Sequence, residues 1–116
     1  MKKVILLLIF CSFLAVSATA YAHPPQDIII RFDSQTKVLQ AIIVHNVSDP
    51  ENHYIKKVDV GLNGQQIIEH KISRQDNNET QIVTYLVPDA KVGDKISVEA
   101  YCSIEGSLKK EVEITE

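Results

Sequence analysis

Long helical periodicity is missing from this sequence, and so are internal repeats, low-complexity tracts and any extended block of basic residues. The first absence argues against a helical bundle, and the second against a solenoid or propeller. Without a basic block or an amphipathic helix of the membrane kind, the chain is a poor match for nucleic acid or an anionic lipid surface. Cysteine is scarce too, with only Cys11 and Cys102 present.

What is there begins with the stretch "MKKVILLLIFCSFLAVSATAYA", residues 1–22. Two lysines lead into a short apolar run, and small residues at "AYA" close it. This pattern predicts a secretory signal peptide cut after Ala22, not a transmembrane helix. Phe10 before Cys11 argues against a lipoprotein, which needs a small residue there. The expected product is periplasmic or secreted and is not held in a membrane after cleavage. It has 94 residues, one small domain over 23–116, near the lower end of sizes that hold a core unaided. The leader carries two lysines and no acid. The mature part therefore keeps 10 basic and 15 acidic side chains, a net charge of −5 with histidines neutral.

Cys102 then stands alone. A single cysteine in an exported chain points to intermolecular pairing, a reactive thiol or metal ligation; the plain alternative is a small buried hydrophobe. A homo-oligomer is thus among the partners left open.

Seven short β-rich runs fill the mature chain, at 27–32, 37–45, 54–62, 65–72, 80–87, 95–102 and 107–115. Turn residues separate them. Asn63-Gly64 is a two-residue hairpin signal, and Asp49-Pro50, Pro88-Asp89 and Gly93-Asp94 mark other connections. The pattern predicts an all-β sandwich of about seven antiparallel strands. Alternation puts Ile96, Val98, Ala100 and Cys102 on one face, and Val112 with Ile114 on the inner face of the last run. The run "LQAIIV" is apolar on both faces and reads as a central strand.

If each connection reverses the chain, four residues with metal-ligating side chains meet at one end of the domain: His23, His45, His53 and Cys102. Neutral imidazoles with a thiolate suit iron, zinc or copper better than magnesium or calcium. Glu105, three residues after the thiol, is either a further ligand or a solvated turn acid. His70 lies near the same end but has no loop from which to turn inward. Two other readings stay open. His23, as a free N-terminus, could chelate copper through its α-amine and ring, or it could simply fray. His45 and His53 could be polar turn residues.

The stretches "VHNVSDPENHYIKKVDV" and "VEAYCSIEG", with His23-Pro24-Pro25 before them, resemble the iron-binding domain of superoxide reductases, the desulfoferrodoxin and neelaredoxin family. In that family a histidine ends a strand and a His-Tyr-Ile follows a short loop. A Cys-Asn-x-His-Gly turn comes near the C-terminus. The resemblance implies an immunoglobulin-like sandwich and a mononuclear non-haem iron held by histidines and a cysteine thiolate, with copper or zinc as alternatives. It implies reduction of superoxide to hydrogen peroxide, with an electron donor as partner. The matching positions here are His23, His45, His53 and Cys102. Glu105 stands where the family has its second turn histidine, and Ala22 where it has a lysine. A non-catalytic metal carrier or sensor, or an interaction domain with a degenerate site, is the alternative on the same frame.

Overall fold

The computed structural model describes residues 22–116. The leader read over 1–22 lies, but for Ala22, outside the described residues. Seven strands follow in chain order: β1 (Asp27–Asp33), β2 (Val38–Val44), β3 (Ile55–Leu62), β4 (Gln65–Lys71), β5 (Thr80–Leu86), β6 (Lys95–Cys102) and β7 (Ser107–Glu113). Each falls on one of the seven β-rich runs, with ends that agree to within two residues. Among the described residues there is no helix.

The strands form two sheets, ordered β1-β2-β5 and β4-β3-β6-β7, and every pairing is antiparallel. Local chemistry sets the tight turns. Asn63 and Gly64 have φ of 51° and 85°, the two positive values that a two-residue hairpin matching strand twist requires. Between β1 and β2, the Asp33 carboxylate accepts hydrogen bonds from the backbone N–H of Gln35 (2.8 Å) and Thr36 (3.2 Å). Those bonds hold its carboxyl below the usual carboxylate range.

The inner faces of the two sheets meet in one core. Leu39, Ala41 and Ile43 come from β2, Ile55, Val58 and Val60 from β3, and Ile96, Val98 and Ala100 from β6; all are fully buried. The β6 alternation continues to Cys102, also buried. β2 is central in its sheet, as its two-sided apolar pattern requires, though its outward residues keep partial exposure.

Val112 departs from its expected inward place and is exposed. It has the correct face, since it pairs with buried Ile96, but β7 is an edge strand with nothing beyond it. Ile114 is buried as expected, through bonds outside the ladder: Ile114 N–H to Asp94 O and Gly93 N–H to Ile114 O.

Candidate metal centre

Three chain segments meet beyond the end of β2. His45 follows that strand directly. Its backbone N–H bonds Glu79 O at 2.9 Å, and Val47 N–H bonds Asn78 O at 2.8 Å, so the 72–79 loop carries the β2–β5 pairing past the sheet. His45 is fully buried.

His53 is brought back to His45 by the "SDPEN" turn. The Asp49 carboxylate accepts from Glu51 N–H (3.1 Å) and Asn52 Nδ2 (2.6 Å), and Asp49 O accepts from His53 N–H (2.8 Å). Hydrogen bonds to the charged form, from Asn52 first, keep the Asp49 carboxyl below its ordinary range. The chain therefore folds over within one turn and re-enters at β3 with His53 facing inward.

His23 sits on the segment that precedes β1. Gln26 N–H bonds Val44 O at 2.8 Å, which continues the β1–β2 ladder toward the N-terminus. Asn46 N–H bonds Gln26 Oε1 at 3.1 Å, and Pro25 is buried. These contacts hold the segment that carries His23 against the end of β2. An open hollow lined by His23, Pro24, Pro25, Gln26 and Asn46 borders the cluster on this side.

The three imidazoles face one another. Ring centroids are 4.8 Å apart for His23–His45, 5.0 Å for His23–His53 and 4.8 Å for His45–His53. One nitrogen from each lies within 4.8 Å of the other two, a grouping that could hold a metal ion. Metal–imidazole bonds of about 2.0–2.1 Å place neighbouring donors roughly 3.3 Å apart around a tetrahedral ion. Closing onto an ion needs shifts of about an ångström, within reach of side-chain torsions.

The surroundings of all three rings suit a cation. His53 Nε2 is buried and has no hydrogen-bond partner. A buried polar nitrogen left so costs stability unless something fills the gap. His45 Nε2 lies 3.3 Å from His23 O, while His45 Nδ1 is taken by the Gln75 side chain at 2.8 Å. If Nδ1 holds the proton, a lone pair faces a carbonyl oxygen, and the two repel unless a cation intervenes. His23 is similar: its Nδ1 and Nε2 each lie 2.9 Å from a carbonyl oxygen, of Pro24 and Asn46, and a neutral ring has one N–H for the two.

Protonating all three rings would set like charges side by side. Burial, and then the charges of His45 and His23, hold His53 below its ordinary value. This favours the neutral imidazole, which is the form that binds metals.

The structure thus brings together three of the five residues singled out from the sequence. Cys102 is not a member of the three-nitrogen cluster; it is the last residue of β6, just before the turn that leads to β7. Cys102 is buried, pairs with Ile55, and its Sγ accepts from Ile104 N–H at 3.5 Å. The turn is tied to the residue after His53, through Ser103 N–H to Tyr54 O (2.8 Å) and Tyr54 N–H to Ser103 Oγ (3.1 Å). Glu105 is exposed in that turn and also outside the cluster. His70 is elsewhere, its Nδ1 2.7 Å from Tyr85 Oη across the two sheets. Burial pushes the Tyr85 hydroxyl up to about 12, so it stays protonated in that contact.

Gln75 was not signalled by the sequence. It sits in the polar run "SRQDNNE", where nothing marks one side chain as buried. No protein-family model, no curated protein and no solved structure matches this chain.

Proposed function

We propose that this is an exported metal-binding domain of the superoxide reductase kind, with His23, His45 and His53 as nitrogen ligands of a mononuclear iron. The observation that carries the reading is the buried, unpartnered His53 Nε2 beside two other imidazoles. Cys102 is the thiolate donor of the proposal, since its turn is bonded to Tyr54 next to His53. Glu105 is the remaining oxygen donor within that turn. The immunoglobulin-like class, the periplasmic or secreted location and an electron-donor partner belong to the same proposal.

Bound iron would supply the single electron that reduces superoxide, with the thiolate tuning its potential. The chain's own residues do the rest. The Asp49 turn and the β2 ladder fix the imidazoles of His53 and His45 side by side. The 22–26 segment brings the third imidazole from the solvent side, where the open hollow lets a small anion approach. Gln75 braces His45 from behind.

The test is consumption of superoxide by anaerobically iron-loaded protein, with the visible spectrum recorded before and after oxidation. The reading expects turnover and a thiolate-to-iron charge-transfer band, both lost in Cys102→Ser. Iron binding without turnover or band would overturn the enzymatic part.

One observation favours a second reading. The three-nitrogen cluster is grouped without the thiol, a donor set that suits copper or zinc. A non-catalytic carrier of such an ion would bind it stoichiometrically and leave superoxide untouched.

A further inference from the structure

We propose that Gln75 is a positioning residue for the metal site, fixing His45 with its proton on Nδ1 so that Nε2 is the nitrogen offered to the ion. The proposal rests on the reading of the three imidazoles as a metal site and adds what determines the ligating atom.

Gln75 is 1% exposed, while its loop neighbours Ser73, Arg74, Asp76, Asn77, Asn78 and Glu79 are all exposed. The burial has a purpose that the hydrogen bonds reveal. Gln75 Nε2 donates twice, to His45 O at 2.8 Å and to Asn77 O at 2.9 Å. An amide nitrogen has two N–H bonds, and both are thereby used. Flipping the amide would turn its oxygen onto two carbonyl oxygens, so the orientation is set. Oε1 is the atom left to face His45 Nδ1, at 2.8 Å.

An amide oxygen can only accept. His45 Nδ1 must then carry a hydrogen, and a neutral imidazole has just one. Nε2 is left with its lone pair, on the side where the His23 carbonyl oxygen lies. A hydrogen bond from the far nitrogen of a metal-binding histidine to an acceptor fixes ring orientation and strengthens the near nitrogen as a donor. Gln75 does both from a loop that is itself anchored to the loop between His45 and His53. Gln75 N–H bonds Pro50 O at 3.1 Å, and Arg74 pairs with Glu51 at 2.9 Å. The brace therefore joins the ligand to the turn that carries a second ligand.

Two variants separate positioning from plain support of the loop. Gln75→Leu removes the acceptor and both donors. Gln75→Glu keeps an acceptor opposite Nδ1 but turns its second carboxylate oxygen toward the His45 and Asn77 carbonyl oxygens, so it strains the loop while leaving the positioning contact. The readouts are the His45 tautomer, from long-range proton–nitrogen NMR correlations on metal-free protein, and the affinity for zinc as a spectroscopically silent probe. The expected results are an Nδ1–H tautomer in the wild type and in Gln75→Glu, and a shift toward Nε2–H in Gln75→Leu. Zinc affinity should fall roughly 10- to 100-fold in Gln75→Leu, the size of outer-shell effects, and be largely kept in Gln75→Glu.

An Nε2–H tautomer in the metal-free wild type overturns the proposal with no variant needed. So does a Gln75→Leu protein that loses affinity but keeps the Nδ1–H tautomer, because the residue then only supports the loop. A wild type that takes up no zinc overturns the metal reading and the proposal with it. The tautomer measurement, which needs no metal, tells that failure from the others.

Discussion

Gly106 lies against Pro24, so that a Cβ at position 106 would sit 3.0 Å from the proline's own Cβ. The contact joins the turn after Cys102 to the segment that carries His23. Gly106 also has a φ of 88°, which L side chains adopt at a cost of about 1–2 kcal/mol. Gly106→Ala should therefore lower stability by about that amount, read from the urea midpoint. It should also weaken metal binding, because relief of the clash displaces Pro24 and His23 with it. Unchanged affinity would mean that the His23 segment does not depend on this contact.

Replacing His23, His45 or His53 by alanine removes one of three nitrogen donors. Each single variant should lose more than the roughly 10- to 100-fold in affinity that outer-shell changes cost. His70→Ala is the control, since His70 bonds Tyr85 and stands outside the cluster; its affinity should stay at the wild-type value. Isothermal titration with zinc or cobalt reads all four.

Cys102→Ser tests the thiolate. In the iron-loaded, oxidised protein the charge-transfer band should vanish. Burying a hydroxyl at a site 2% exposed should cost the metal-free protein about 1–3 kcal/mol, read by thermal or urea unfolding. Loss of stability with the band intact would place the thiol in the core alone.

The pH dependence of metal-free stability has a definite sign. His53 is held below its ordinary value of 6.5 in the folded protein, so the unfolded chain takes up its proton first as pH falls. In that window the unfolded state binds more protons, and stability rises with pH. The His53 contribution is complete above about pH 6.5 and is lost as pH falls toward the lowered folded value. His53→Gln should flatten the profile of urea midpoint between pH 7 and 5. A profile as steep as the wild type's would assign the dependence to other groups.

Much of the fold was legible in the sequence because turn chemistry and alternation act locally. Asn63-Gly64 announces its turn through the positive φ both residues accept. The inward parity of Ile96, Val98, Ala100 and Cys102 follows from the pleat alone. Convergence of His23, His45 and His53 was legible for a related reason: reversing the chain at every connection puts those three segment ends together. Val112 misled because parity tells which face a side chain takes, not whether the sheet continues beside it. Gln75 was hidden because its burial depends on one loop crossing another, which leaves no trace in a polar heptad. The relation of Cys102 to the three imidazoles turns on the path of a short turn, and residue spacing does not determine that path.

The central claim is that His23, His45 and His53 together bind one transition-metal ion. The most direct measurement is an equilibrium titration of the chelator-treated protein with ferrous iron under anaerobic conditions, with metal content determined after removal of unbound ion. One iron per chain in the wild type, and none retained in His45→Ala, is the predicted result. A wild type that retains no ion, whether iron, copper or zinc is offered, would contradict the account.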